Sequence, residues 1–211
     1  MQTVVCTNWS DFLNDKDSKL MMDVKNLIHP NIEASMRQPL SFSIESSTLF
    51  CIIGENGTGK STLLKILAGL LAPQNGKIIS FQKNVYLGEK FGLKAKSTIQ
   101  SFLNIYEKKP FNKIFSFIPK LKLSHFKHKI EILSSGQKML LNFYRIHQSN
   151  KKIWLLDEPF RFLDTRSKQK VKSWIIDHIQ TEGSVVLTDH SLHLFQEEIH
   201  TQKIKIQILN L

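Results

Sequence analysis

One stretch of the sequence constrains the fold more than any other: an apolar run followed at once by a glycine-rich loop. Residues 49–53 are continuously apolar, as expected of a strand buried on both faces. They lead into Gly-Glu-Asn-Gly-Thr-Gly-Lys-Ser at positions 54–61, which fits the pattern G-x-x-x-x-G-K-[ST]. Residues 62–71 then have the pattern of a helix that ends before Pro73. This order of strand, loop and helix predicts a phosphate-binding loop in an α/β fold.

The residue types in the loop suit a nucleotide. Glycines let consecutive backbone N–H groups turn inward at a helix N-terminus, where they form a nest for phosphate oxygens. Lys60 adds a positive charge for the β- and γ-phosphates, and Ser61 offers a hydroxyl to Mg²⁺. The candidate nucleotide-binding residues are Gly54, Glu55, Asn56, Gly57, Thr58, Gly59, Lys60, Ser61 and Thr62.

A second apolar run, at residues 153–156, ends in two adjacent carboxylates, Asp157 and Glu158. In a parallel sheet the carboxyl end of this strand lies at the same edge as the phosphate loop, so Asp157 can hold Mg²⁺ directly or through water. Glu158 is then within reach of a water in line with the γ-phosphate and can act as general base. Without the loop upstream, the same residues would most often be only a strand end and a turn.

Two further segments supply candidate site residues. Ser-Ser-Gly before the amphipathic segment 139–147 exposes backbone donors and hydroxyls to an anion. On these residues alone, however, a helix N-cap without a ligand is the preferred interpretation. His190 follows the apolar run 185–187, where it would lie beside the other strand ends and reach the γ-phosphate. The candidates here are Ser134, Ser135, Gly136 and Gln137 for nucleotide binding, with Lys60, Glu158 and His190 as catalytic residues.

The rest of the pattern indicates an α/β domain with a mainly parallel sheet. A polar helix expected at residues 166–180 lies between two apolar runs, which is typical of a βαβ unit. Strands are expected at residues 40–45, 49–53, 77–81, 84–87, 153–156 and 184–187.

Domain organisation follows from the remaining segments. Residues 1–20 are polar and weakly patterned, and we interpret them as an N-terminal extension of a domain that spans residues 21–211. Apolar residues at helical spacing in the Lys- and Phe-rich segment 97–130 predict a helical subdomain at about residues 95–150.

Composition narrows the class of protein and its partners. The 211 residues include 29 Lys+Arg and 18 Asp+Glu, a net charge of +11, which favours anionic partners or reflects drift towards lysine. Two cysteines are too few for a disulfide scaffold and indicate a reducing compartment. The longest apolar stretch, residues 63–72, is interrupted by Lys65 and is shorter than the ~20 residues of a membrane span.

Taken together, the motifs resemble those of the ATP-binding-cassette (ABC) ATPases. Gly-Glu-Asn-Gly-Thr-Gly-Lys-Ser, Leu-Ser-Ser-Gly-Gln, Leu-Leu-Asp-Glu-Pro, the pair Leu163-Asp164 and Thr-Asp-His occur in the family's order over roughly residues 21–200. The resemblance implies a P-loop NTPase fold of ABC type with a small antiparallel β region. It also implies ATP and Mg²⁺ as ligands, and a head-to-tail homodimer in which the signature at residues 133–137 covers the other copy's nucleotide. Separate transmembrane transporter subunits would be the partners.

Residues 86–94 are similar to a stretch in the ATPase subunits of the haem-exporter system of cytochrome c maturation. This resemblance implies a role in haem export, on the cytoplasmic face of a bacterial inner membrane or the matrix face of the mitochondrial one. Glu89 stands where most cassette ATPases have a glutamine that senses Mg²⁺ and the membrane partner, which makes it a candidate Mg²⁺ ligand together with Ser61 and Asp157.

The sequence leaves two other functions possible. The positive charge permits an ATPase that acts on nucleic acid, but the chain has neither the second cassette nor the long coiled coil of such family members, so no direct nucleic-acid partner is expected. The second alternative is a nucleotide-binding subunit without turnover, and the presence of Lys60, Glu158 and His190 argues against it.

Overall fold

The computed structural model describes residues 19–28, 38–88, 96–106, 118, 125, 127–188, 192–201 and 204–211. Most of the expected N-terminal extension, much of the expected helical subdomain, and the candidate residues Glu89 and His190 lie outside these ranges.

A five-stranded parallel sheet carries the functional residues. Its spatial order is β5-β6-β7-β3-β8, and each neighbouring pair is parallel. The carboxyl ends of the strands therefore meet at one edge, where β3 continues into the phosphate loop. The strands are β3 (Thr48–Ile53), β5 (Asn84–Leu87), β6 (Ile153–Asp157), β7 (Ser184–Thr188) and β8 (Lys205–Asn210).

A smaller antiparallel sheet has the order β2-β1-β4, with β1 at Leu20–Ile28, β2 at Leu40–Glu45 and β4 at Asn75–Ser80. The strand β1 was not expected from the sequence. Its alternation of apolar and polar residues is broken at Asn26, which has a φ of 47°, and the pairing register with β2 shifts between Val24 and Leu27. A bulge of this kind hides a strand from a search for a period of two.

The three central strands of the parallel sheet, β6, β7 and β3, are buried on both faces, as their continuous apolar runs predict. Successive side chains of β3 point to opposite faces. Phe50 and Ile52 pack with Leu63 of the first helix and with the antiparallel sheet, whereas Leu49 and Cys51 pack with helical residues on the other side.

The described helices are α1 (Lys60–Leu67), α2 (Ile99–Tyr106), α3 (Ser135–Gln148), α4 (Thr165–Gln180) and α5 (Gln196–His200). The prediction that the first helix extends to residue 71 was wrong. Gly69 adopts a φ of 72° and the Leu70 N–H donates to the Lys65 carbonyl, so the chain turns away after Leu67. Among the helices that the structure describes, none is long and apolar enough to cross a membrane.

Candidate functional site

The phosphate loop holds its lysine in the loop's own interior. Lys60 is only 7% exposed, and its Nζ donates to the carbonyl oxygens of Gly54 at 2.8 Å and Glu55 at 2.6 Å. Gly57 and Gly59 have φ values of 90° and 97°, a region that residues with a side chain rarely adopt. The ammonium group is thus held across the loop, and a phosphate oxygen can replace the carbonyls because it is the stronger acceptor.

The other predicted loop residues form the exposed turn and the start of α1. The hydroxyl of Thr58 donates to the Glu55 carbonyl at 3.1 Å, which closes the turn around Asn56. A side chain on Gly54 would collide with the carbonyl oxygen of Leu211 at 2.5 Å, so this position admits only glycine. Thr62 lies in the first turn of α1.

Asp157 lies at the centre of the strand ends and is 2% exposed. Its Oδ1 accepts hydrogen bonds from the hydroxyls of Ser61, at 2.9 Å, and Thr188, at 2.7 Å. Its Oδ2 accepts one from the hydroxyl of Tyr86 at 3.3 Å, and Arg145 of α3 donates to the Tyr86 carbonyl at 3.1 Å. The structure therefore brings together Ser61 and Asp157, the predicted Mg²⁺ ligands from the two motifs.

Tyr86 and Thr188 were not singled out from the sequence as partners of Asp157. Thr188 is the register partner of Asp157 on the neighbouring strand, and Tyr86 lies on the strand at the other side. Both residues occur at or near the end of a predicted strand, so only the spatial order of the strands would have indicated their place.

The donor set around Asp157 suits Mg²⁺. One hydroxyl and one carboxylate are hard oxygen ligands, and Mg²⁺ is commonly bound by one or two protein oxygens together with substrate phosphates and water. Within the described ranges there is no group of three or more His, Cys, Asp or Glu side chains that could hold a metal by itself. Among the described residues, Ser61 and Asp157 would therefore hold a metal together with phosphate oxygens and water.

Glu158 begins the turn after β6. Its N–H donates to both the carbonyl oxygen of Thr188, at 3.1 Å, and the Thr188 hydroxyl, at 3.2 Å, and its φ is 46°. The carboxylate Oε2 lies 3.1 Å from Nη1 of Arg161. Arg161, which was not a candidate from the sequence, thus contacts the expected general base.

The Ser-Ser-Gly-Gln segment begins α3. The Ser134 hydroxyl accepts a hydrogen bond from the Gln137 N–H at 3.2 Å, and the Gln137 side chain accepts one from the Ser134 N–H at 3.1 Å. This reciprocal capping box fixes the helix N-terminus. A side chain on Gly136 would lie 2.8 Å from the carbonyl oxygen of Phe162, so the signature is packed against the turn after Glu158.

A cleft of about 420 Å³ lies between these two segments. Asp164, which caps α4 by accepting a hydrogen bond from the Ser167 N–H at 2.8 Å, forms part of its wall. The cleft is lined by Ser134, Gly136, Gln137, Leu140, Phe162, Leu163, Asp164 and Ser167.

Comparison of the sequence with known proteins identifies a family and several similar proteins. A family model described as "ABC transporter" matches residues 37–161. The cytochrome c biogenesis ATP-binding export protein CcmA of Legionella pneumophila (strain Lens) is 34% identical over 81% of this chain and 92% of its own length. The protein of the same name from Vibrio cholerae is 30% identical over 88% of this chain and 98% of its own.

Solved structures agree on the fold. An ATP-binding subunit of an ABC transporter has a TM-score of 0.70 at 18% identity. The match covers 90% of this chain and 85% of that subunit. The ATP-binding cassette MJ0796, described as dimeric in a post-hydrolysis state with ADP and Pi, has a TM-score of 0.69 at 19% identity. The match covers 90% of this chain and 94% of the MJ0796 chain. With its phosphate loop, strand-end carboxylates and capped signature helix, the chain therefore belongs to the ABC transporter family as an ATPase subunit, and it is similar to the CcmA proteins.

Proposed function

We propose that this chain hydrolyses ATP to drive separate transmembrane subunits that export haem, or a component of its delivery, for cytochrome c maturation. The observation that carries the catalytic part is the 2.9 Å hydrogen bond from Ser61 to Asp157, which joins the phosphate loop to the carboxylate strand. The cytochrome c part is supported by the names of the relatives and by their coverage of most of this chain.

Binding of the nucleotide begins at the phosphate loop. Its backbone N–H groups would donate hydrogen bonds to the phosphate oxygens at the N-terminus of α1. The ammonium of Lys60 would exchange the carbonyls of Gly54 and Glu55 for the β- and γ-phosphates. Ser61 and Asp157 would hold Mg²⁺, with Glu89 as a third candidate. The metal would neutralise charge that develops on the phosphates.

Glu158 would act as general base on the attacking water. The Glu158 N–H donates two hydrogen bonds to Thr188. Because Glu158 directly follows the buried Asp157, its side chain extends from a rigid strand end. It would accept a proton as the water oxygen bonds to the γ-phosphorus and the bond to the β–γ bridging oxygen breaks, which releases ADP and phosphate. His190, which follows β7 in the sequence, would contact the γ-phosphate.

The signature supports a composite site in a head-to-tail dimer. Ser134 and Gln137 form hydrogen bonds with each other, which leaves the hydroxyl of Ser135 and the N–H groups of Ser135 and Gly136 to bind an anion at the surface. In the proposed dimer this helix end covers the nucleotide held by the other copy. Closure on ATP and reopening after hydrolysis would then move the membrane partner.

The proposed place of action is the inner membrane, where the chain would bind through its transmembrane partners. The named relatives come from bacteria, which favours the cytoplasmic face of a bacterial membrane over the mitochondrial matrix. The net charge of +11 would add attraction to anionic lipid, at ~1 kcal/mol for each Lys or Arg near the surface.

Co-expression with the transmembrane subunits of a cytochrome c biogenesis exporter tests the partner. We expect the chain to sediment with membranes that contain these subunits, and to resist a high-salt wash that removes charge-driven binding. Membranes with the subunits of an unrelated ABC transporter are the control. Equal binding to both, or tight salt-sensitive binding to DNA or RNA instead, would contradict the proposed partner.

Haem attachment to a reporter cytochrome c tests the pathway. In cells that lack their own export ATPase but contain this chain and its membrane subunits, we expect mature cytochrome c with wild-type chain and none with Lys60→Ala. Loss of ATP turnover without loss of maturation would contradict the proposal.

A further inference from the structure

The hydroxyl of Thr188 contacts both residues that the proposed mechanism uses at the end of β6. It donates to Oδ1 of Asp157 at 2.7 Å and accepts a hydrogen bond from the Glu158 N–H at 3.2 Å. Thr188 is 0% exposed, and a hydroxyl has a single proton, which here is directed at the carboxylate. This contact is therefore a short, charge-assisted hydrogen bond with a fixed direction.

Two neighbouring strands hold the two oxygens of the Asp157 carboxylate. Thr188 on β7 binds Oδ1, and the hydroxyl of Tyr86 on β5 donates to Oδ2 at 3.3 Å. Ser61 also donates to Oδ1, but Ser61 belongs to the phosphate loop and is itself a predicted Mg²⁺ ligand. The carboxyl group cannot rotate about its bond to Cβ without breaking the contacts from both strands. The strands therefore set its orientation independently of the nucleotide.

This orientation matters because of the metal that Asp157 is expected to hold. Mg²⁺ requires near-ideal octahedral geometry, so it tolerates little displacement of a ligand. Groups that form hydrogen bonds with a ligating carboxylate orient it, and their loss typically lowers metal affinity by about 10- to 100-fold. Asp157 is buried, so bulk water has little access to replace a lost partner.

The expected general base is anchored separately. The Glu158 N–H also donates to the carbonyl oxygen of Thr188 at 3.1 Å, a backbone contact that does not depend on the threonine side chain. Loss of the hydroxyl alone thus leaves the backbone of Glu158 attached to β7, while Asp157 loses the shortest of its three hydrogen bonds from Ser61, Tyr86 and Thr188. One substitution can therefore separate the two functions of this strand end.

We propose that Thr188 is a positioning residue for the metal-binding carboxylate, with Tyr86 assisting from the strand on the other side. Its hydroxyl fixes Asp157 in the orientation in which that carboxylate, together with Ser61, holds Mg²⁺ beside the bound nucleotide. Thr188 itself acts only through Asp157. The inference rests on the proposed function, because it assigns a role within the same nucleotide site.

Three substitutions of buried threonines separate this role from a contribution to the core. Thr188→Val removes the hydroxyl and keeps the branched shape, whereas Thr188→Ser keeps the hydroxyl and removes the methyl group. Thr48→Val is the matched control, since Thr48 is also 0% exposed and lies on β3, the strand beside β7. Thr48 begins that strand, whose other end leads into the phosphate loop, and its hydroxyl donates to the Ser46 carbonyl at 3.2 Å.

Calorimetric titration with ADP, once with Mg²⁺ and once with EDTA, gives a readout that does not depend on hydrolysis. The ratio of the two affinities measures what the metal adds to nucleotide binding. We expect Thr188→Val to lower this ratio by about tenfold relative to wild type. Its ADP affinity in EDTA should be unchanged, because the phosphate loop is intact. Thr188→Ser and Thr48→Val should give the wild-type ratio.

ATP turnover as a function of Mg²⁺ concentration gives the second readout. Thr188→Val should raise the concentration for half-maximal turnover by about tenfold, with little change at saturating Mg²⁺, since the backbone of the base remains in place. A defect of the core would instead lower turnover equally at all Mg²⁺ concentrations.

Tyr86→Phe provides a second test, which also applies if Thr188→Val does not fold. It removes the hydroxyl from Oδ2, and its 3.3 Å contact is longer than that of Thr188. We therefore expect the Mg²⁺ concentration for half-maximal turnover to rise by about 2- to 10-fold, the range for an ordinary hydrogen bond. An unchanged Mg²⁺ requirement in this variant would count against the positioning of Asp157 by the strands and overturn the inference.

Three results with the threonine variants would also overturn it. The first is a Thr188→Val chain with the same Mg²⁺ dependence as Thr48→Val, and the second is a Thr188→Ser chain as defective as Thr188→Val. The third is a wild-type ADP affinity that is equal in Mg²⁺ and EDTA, because Asp157 would then add nothing through a metal. By contrast, a wild-type chain that binds ADP more tightly with Mg²⁺ but hydrolyses no ATP would contradict the proposed function and leave the positioning role intact.

Discussion

Acidification below pH 6.5 should destabilise this chain through one histidine, His178. The ring of His178 stacks on Trp154, with centroids 3.9 Å apart and planes 10° apart, and its Nε2 lies 3.1 Å from the carbonyl oxygen of Lys152. Burial lowers the pKa of His178 from 6.5 to about 4, and the positive charges of Lys152 and His147 act in the same direction. The folded chain therefore holds this imidazole neutral.

The sign of the effect follows from proton binding. In the unfolded chain His178 takes up a proton as the pH falls through 6.5, whereas in the folded chain its pKa is about 4. Between these values the unfolded state binds more protons, so the free energy of unfolding decreases as the pH falls, and the loss is complete below pH 4. This pKa difference corresponds to a loss of about 2 kcal/mol in the free energy of unfolding from pH 8 to pH 5. Because the ring is only half-buried, water screens the effect and reduces the loss towards about 1 kcal/mol.

Urea unfolding at a series of pH values, for wild type and His178→Phe, isolates this contribution. Phenylalanine retains the stack on Trp154, and the Lys152 carbonyl still accepts the Ser184 N–H at 2.8 Å. Other titrating groups affect both proteins equally, so we expect the difference between the two stability curves to change by about 1–2 kcal/mol between pH 8 and pH 5. Parallel curves would refute the reasoning.

Three further predictions concern the site and the core. Asp157→Asn should remain folded and raise the Mg²⁺ concentration for half-maximal ATP turnover by about 10- to 100-fold, because the carboxylate charge is lost; a Mg²⁺ titration measures this. Gly136→Ala should leave ATP binding to single chains unchanged and lower turnover at least about tenfold, since its Cβ would lie 2.8 Å from the Phe162 carbonyl; equal turnover would contradict it. Lys172→Ala should lower the free energy of unfolding by about 3–5 kcal/mol in urea, because it leaves Glu198 buried without the ammonium now 2.8 Å away.

The part of the site that could be predicted from sequence depends on short segments with a defined place in the fold. The phosphate loop needs only local backbone geometry, and the carboxylate of Asp157 at the end of β6 reaches it because parallel strands end at one edge of the sheet. The contact from Ser61 to Asp157 was therefore foreseeable. The fold class followed from the same pattern, and the solved structures agree with it.

The contacts and the strand that the sequence did not reveal depend on the order of the strands in the sheet and on residues with a positive φ. Tyr86 reaches Asp157 only because β5 lies directly beside β6, an order that no local pattern encodes. The ion pair of Arg161 with Glu158 follows from the positive φ of Glu158, which turns the chain at once after the strand. The strand β1 was missed because Asn26 interrupts its alternation.

Glu158→Gln provides the most direct test that this chain is an ATPase with a strand-end general base. ATP turnover and the ATP-dependent dimer fraction by light scattering are measured for wild type, Glu158→Gln and Lys60→Ala. We expect Glu158→Gln to lower turnover by ~10²–10⁴-fold, since the proton acceptor is lost while the phosphate-binding groups remain. The closed dimer should accumulate with this variant and be absent with Lys60→Ala. Near-normal turnover in Glu158→Gln would contradict the mechanism and assign the base to another residue, with Glu89 the first to be tested.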